Sequence, residues 1–255
     1  MLKIIISKKA EILAKLYDLY HAPQIQENLP YHLLYMGDFS ELIYYGYVFE
    51  KYSLWDKLFD TLIGKKNDYE AEKYLENLEK IYLHRWDLIE AELSVFADKF
   101  TELYNNYDEK VRGILSKILP INKYFDEEYL LIGFNPGRGV LGSVPRINLE
   151  EKYIINTLFI GISTTPKKSL DLYIHELLHG LMRLNNINIP EEVEEEFINT
   201  LCPEGYLSKL LGLTETINVG EGSLQAYIHS YFEEKMYEKM DLLKYLELKA
   251  KNHYM

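Results

Sequence analysis

Cysteine is almost missing from this chain. Cys202 is the only one in 255 residues, which excludes an internal disulfide framework and leaves the fold to its apolar core. Long hydrophobic runs are missing too. No stretch approaches the ~18 apolar residues that mark a membrane helix. The opening Met1-Leu2-Lys3-Ile4-Ile5-Ile6-Ser7-Lys8-Lys9 holds too short an apolar run for a signal peptide. These absences give the expectation of a cytoplasmic protein with no membrane partner. Positive charge is scarce as well: 28 Lys and Arg stand against 40 Asp and Glu, for a formal net charge of −12 and a pI near 5.1. Such a surface repels phosphate, so nucleic acid is excluded as the main partner. No internal repeat and no low-complexity linker is visible.

The remaining composition is that of a globular domain, 47% hydrophobic and 27% charged. The length suffices for one large domain or two small ones. The apolar spacing predicts a short strand at 2–6 and a helix over 8–20, with Ile12, Leu13, Leu16, Tyr17 and Tyr20 on one side. His21-Ala22-Pro23 stops that helix, and His21 and His32 read as structural or exposed. One or two amphipathic helices follow from Asp38 to Ile63, then a strongly helical stretch from Tyr69 to Asn105 in which His84 is packed. A further helix from Tyr107 to Leu119 ends at Pro120. The character then changes. Strands are expected over Glu128–Phe134 and Tyr153–Ile162, joined through a turn at 135–139 and a third strand at 139–147 that Gly142 and Pro145 demote to an edge. The expected division is a helical region 1–120 and a domain 121–255.

The chemistry is concentrated in Leu172-Tyr173-Ile174-His175-Glu176-Leu177-Leu178-His179-Gly180-Leu181-Met182-Arg183-Leu184, which contains H-E-x-x-H. On a helix, residues four apart share a face, so both imidazoles can reach one metal ion. Glu176 can lean over the open side of that metal and take a proton from a bound water. The flanking Leu172, Ile174, Leu177, Leu178, Leu181, Met182 and Leu184 mark a largely buried helix. Two histidines bonded to carbonyls in an ordinary core are the alternative. A second helix opens at Pro190 and carries a run of glutamates from Glu191 to Glu196, with Val193, Phe197 and Leu201 as its buried stripe. On that stripe Glu195 points away from the core, and Glu196 lies on its flank.

From about residue 125 to 235 the chain resembles a zincin metallopeptidase of the gluzincin type: strands leading into an H-E-x-x-H helix, then a second helix bearing a glutamate. Met182 and Asn185 stand where metzincins require Gly and His, so that branch does not fit. The resemblance implies an α+β, mostly helical fold with a small mixed or antiparallel sheet packed on the motif helix. It implies Zn2+ held by His175, His179 and a glutamate, with Glu176 as general base and a peptide or protein as substrate. Glu196, followed by Phe197-Ile198 as the ligand glutamate of thermolysin-like enzymes is followed by two apolar residues, is the expected third ligand. Glu221, in Gly220-Glu221-Gly222, is the rival, and a neighbouring glutamate is the remaining alternative. On the C-terminal helix His229 or Tyr227 would stabilise the oxyanion, with a structural role as the alternative for each. The edge strand at 139–147 offers backbone groups to an extended peptide. A catalytically silent metal-binding regulator on the same fold is the competing function.

Overall fold

The computed structural model describes residues 2–21, 39–81, 86–135, 140–161 and 163–253. His32, His84 and residues 136–139 of the expected turn lie outside them. The protein is α+β and mostly helical, with one small mixed sheet. Among the described residues no helix is long and apolar enough to cross a membrane.

The chain divides into two compact units: Met1–Asp98 with Asp126–Thr164, and Lys99–Phe125 with Thr165–Met255. The first holds β1 (Leu2–Ile5), α1 (Lys8–His21), α2 (Phe39–Lys51), α3 (Trp55–Leu62), α4 (Tyr69–Ile81) and the start of α5 (Trp86–Ile118). It also holds β2 (Glu127–Phe134), β3 (Val140–Asn148) and β4 (Tyr153–Ile160). This division differs from the expected one at residue 120 because β1 pairs in parallel with β2, Leu2 opposite Glu128. The N-terminal residues are therefore part of the sheet.

The sheet order is β1-β2-β4-β3, with β2 and β4 parallel and β3 antiparallel to β4. The central strand β4, Tyr-Ile-Ile-Asn-Thr-Leu-Phe-Ile, is buried at every position. A near-continuous apolar run is what burial on both faces demands. β3 lies at an edge, as Gly142 and Pro145 predict, and its register shifts between Ser143 and Arg146.

Side chains of α1 and α3 lock this unit around buried polar groups. Asp60, fully buried on α3, is bonded by Tyr153, by Arg146 at 3.2 Å and by Lys66 at 2.9 Å. Burial alone would raise its pKa; the Lys66, Tyr153 and Arg146 donors outweigh that and hold the carboxyl below the ordinary range. Glu11 on α1 accepts the Phe134 amide at 2.9 Å and the Lys15 ammonium at 2.6 Å.

The second unit holds the rest of α5, the motif helix α6 (Pro166–Leu184), α7 (Glu191–Leu201), α8 (Tyr206–Leu211), α9 (Ser223–Glu233), a 3-10 turn at Met236–Glu238 and α10 (Leu242–His253). α6 begins where Thr165 accepts the Lys168 amide at 3.3 Å and Pro166 occupies the first turn. It ends at Asn185, whose side-chain amide donates to the carbonyls of Leu181 and Lys123 at 2.8 and 2.9 Å. The Asn185 oxygen accepts the amides of Asn122 and Lys123 at 3.0 and 2.9 Å. Tyr173, fully buried, packs edge-on against Phe100 and Tyr104 of α5. The motif helix is thus fixed at both ends and along one face.

Candidate metal centre

His175 and His179 project from one face of α6, 5.0 Å apart between ring centroids. Each ring is held by a different acceptor. His175 Nδ1 lies 2.8 Å from the carbonyl oxygen of Cys202, at the end of α7. A carbonyl only accepts, so His175 carries its proton on Nδ1. His179 Nδ1 lies 2.6 Å from a Glu194 carboxylate oxygen, which fixes the same tautomer. The two Nε2 atoms are left facing each other at 3.3 Å. In neutral rings both are lone pairs.

Glu195 closes the group. One of its oxygens stands 3.5 Å from His175 Nε2 and the other 3.3 Å from His179 Nε2. With both rings neutral, the two Nε2 lone pairs and the Glu195 carboxylate form a donor set able to hold a metal ion; a proton on His179 Nε2, bonded to Glu195, is the other way to satisfy the group. Four ligands at the ~2.0–2.1 Å bond lengths of zinc to nitrogen and oxygen stand about 3.3–3.4 Å apart along the edges of a tetrahedron. The two Nε2 atoms stand at that spacing, 3.3 Å apart; Glu195 meets each ring with a different oxygen, and one ligand atom from each of the three residues lies within 4.8 Å of the others. Burial differs across the group: the His175 side chain is 6% exposed and that of Glu195 56%. The cluster therefore has a dry side at α6 and a wet side at Glu195.

The electrostatics follow the same geometry. Burial pushes the His175 pKa down, against the opposing pull of the Cys202 carbonyl. Burial acts on His179 too, but the Glu195 and Glu194 carboxylates outweigh it and leave its pKa above the ordinary histidine value. The His179 hydrogen bond lowers that of Glu195. Glu176 is buried on α6, and its charge is near enough to raise the pKa of both His179 and Cys202.

The structure thus brings His175 and His179 together, but with Glu195 rather than Glu196. Glu196 instead accepts the Gln225 side-chain amide of α9 at 2.5 Å. The physical reason is a rotation of the buried stripe of α7. Ile198 is fully buried and Glu194 is only 18% exposed, so the inward face runs Glu194, Phe197, Ile198, Leu201. At about 100° per residue, that face lies nearer to Glu195 than to Glu196. The i, i+3, i+4, i+7 spacing of those four residues was available in the sequence; the acidic character of Glu194 disguised it.

The other expected residues lie elsewhere. Glu221 is exposed just before α9. His229 is exposed on α9, its Nδ1 2.6 Å from the Tyr206 hydroxyl, and it is not one of the group formed by His175, His179 and Glu195. Tyr227 is half-buried on α9. Among the described residues His175, His179 and Glu195 form the one such group able to hold a metal ion. The sequence does not single out Glu195 as the carboxylate beside the histidines, nor Glu194 and the Cys202 carbonyl as the groups that orient the rings; a backbone carbonyl brought in by a loop leaves no residue-type signal. Compared with protein-family models, curated proteins and solved structures, the chain matches none.

Proposed function

We propose that the protein is a zinc-dependent metallopeptidase, with His175, His179 and Glu195 as metal ligands and Glu176 as general base. The observation that carries this reading is the meeting of two Nε2 atoms 3.3 Å apart with the Glu195 carboxylate, both imidazoles being oriented through Nδ1. Two histidines and a carboxylate leave a fourth position for water or substrate. Zinc bound there would polarise a scissile carbonyl and lower the pKa of its water to about 7.

The chain's own residues supply the rest. Glu176 follows the first motif histidine and would hold the proton of the attacking water before passing it to the leaving amine. Glu194 and the Cys202 carbonyl keep the two rings from turning. A peptide as substrate follows from the likeness of the motif to zincin metallopeptidases, and a single buried cysteine suits the reducing cytoplasm.

Metal content and peptide turnover test the reading together. Purified protein should carry about one zinc per chain, and His175→Ala or His179→Ala should abolish it. Glu176→Gln should keep the zinc and lose at least about 100-fold in turnover of a mixed peptide library. Stoichiometric zinc in either histidine variant would sink the ligand assignment. Zinc without turnover in the wild type would leave a metal-binding regulator in place of a peptidase.

A further inference from the structure

We infer that Asp171 is a positioning residue for the metal centre: it anchors the turn that presents the Cys202 carbonyl to His175, so that the working motif on α6 is D-x-x-x-H-E-x-x-H. Asp171 and His175 are four residues apart and share a face of the helix. Both meet the same turn between α7 and α8. His175 donates from Nδ1 to the carbonyl of Cys202 at 2.8 Å. One Asp171 oxygen accepts the Glu204 amide at 2.8 Å, and the other accepts the Ser208 hydroxyl at 2.5 Å. Asp171 is 4% exposed and Ser208 fully buried.

The need for such an anchor lies in the sequence of the turn. The peptide unit that carries the Cys202 carbonyl ends on Pro203, whose nitrogen has no hydrogen to bond. The plane of that unit is therefore fixed from its flanks. On one side the Cys202 amide closes the last turn of α7 on Ile198 at 2.8 Å. On the other side the first available amide is that of Glu204, and Asp171 holds it. Glu204 itself sits at φ +56°, a left-handed conformation that costs a non-glycine residue energy and persists only where its surroundings impose it. The Asp171 carboxylate imposes it here, helped by the bond from the Asn218 amide to the Glu204 carbonyl at 2.8 Å. Released from Asp171, the turn relaxes, the Cys202 carbonyl leaves His175 Nδ1, and the ring is free to change tautomer and swing its Nε2 away from His179.

This inference rests on the metal reading only for the affinity it affects, so two measurements separate them. The first uses zinc-free protein. At a pH high enough to keep both rings neutral, nitrogen-correlated NMR of the imidazoles should show both as Nδ1–H tautomers in the wild type, with a slowly exchanging His175 Nδ1 proton. In Asp171→Ala the His175 signal should shift to a mixture of tautomers and exchange about tenfold or more faster, while His179, held by Glu194, stays unchanged. A general loosening of the protein would move both rings alike. The second is chelator competition for zinc, in which Asp171→Ala should bind about 10–100-fold more weakly than wild type.

An unchanged His175 tautomer and exchange rate in folded Asp171→Ala overturns the inference, even if the wild type binds zinc. A change confined to His175 in a protein that binds no zinc upholds the positioning role and removes the metallopeptidase reading. Should Asp171→Ala not fold, Ser208→Ala removes one of the two side-chain bonds and takes its place. It should speed His175 Nδ1 exchange several-fold with His179 unchanged, and no change there is equally fatal.

Discussion

At the scale of single residues the consecutive pair Glu194 and Glu195 divides two tasks. Glu194 bonds the far nitrogen of His179 at 2.6 Å, and Glu195 faces the near nitrogens of both rings. The two roles predict different losses. On the proposed ligand set Glu195→Ala removes a ligand and should weaken zinc binding by more than about 100-fold. Glu194→Ala leaves the ligand set intact but frees the His179 ring, for a loss of about 10–100-fold. Glu196→Ala breaks a bond to Gln225 and should leave zinc affinity within about threefold of wild type, with a modest cost in stability of ~1 kcal/mol. Chelator competition across the three variants orders them. Zinc lost from Glu196→Ala and kept by Glu195→Ala would return the third ligand to the position the stripe of Val193, Phe197 and Leu201 suggested. The histidines were legible from their spacing because helix geometry alone puts positions four apart on one face. The third ligand depends on how α7 is rotated in its groove, and one misassigned buried residue turns that face by half a residue step.

At the scale of elements, local pattern was enough for most boundaries. The helix expected over 8–20 is found over 8–21, and the strand expected from 128 to 134 starts one residue earlier. Where the pattern failed, tertiary packing had overridden it. The expected break near Asn105 does not exist: α5 runs unbroken through Asn105 and Asn106 to Ile118, with Phe100, Tyr104, Val111 and Leu115 buried along it. Asn is a weak helix former but no breaker, and Phe100 and Tyr104, just before the pair, are packed edge-on against Tyr173. The turn from α7 to α8 shows the opposite case, an element set by steric exclusion. A β-carbon on Gly205 would stand 2.4 Å from the Thr200 carbonyl oxygen and 2.5 Å from that of Leu201. Both are backbone atoms that no side-chain rotation can move. Gly205→Ala should therefore displace the turn and cost about 1–3 kcal/mol or more in stability. Denaturant unfolding measures this, and a loss under ~0.5 kcal/mol would mean the turn has slack that its packing does not suggest. Because the same turn carries the Cys202 carbonyl, the variant should also bind zinc more weakly than wild type.

At the scale of the whole molecule, acidic charge dominates, and in the first unit a carboxyl is buried where that charge is least tolerated. Asp18 on α1 is 2% exposed. One of its oxygens accepts the Ser143 hydroxyl at 2.6 Å, and Ser143 in turn meets the Thr157 hydroxyl at 2.7 Å. Among the described residues the other oxygen has no hydrogen-bond partner. Burial pushes the Asp18 carboxyl up to about 7, against the opposing pull of Ser143 and of Lys15, itself bonded to Glu11. The sign of the consequence follows from proton binding. Between the unfolded value near 3.8 and the folded value near 7 the native state holds a proton that the unfolded chain has released. Stability from this group is therefore greatest at the acid end of that window and falls as pH rises through it, by at most about 1.4 kcal/mol per pH unit. Asp18→Asn keeps an acceptor for Ser143 and cannot ionise, so it removes this slope. Its stability relative to wild type should grow from pH 5.5 to pH 7 by about 1–2 kcal/mol and level off above. Unfolding midpoints in denaturant across that range provide the test. Parallel curves for the two proteins would show that Asp18 is already ionised at acid pH, and a difference that shrinks with pH would reverse the assignment of burial as the dominant cause.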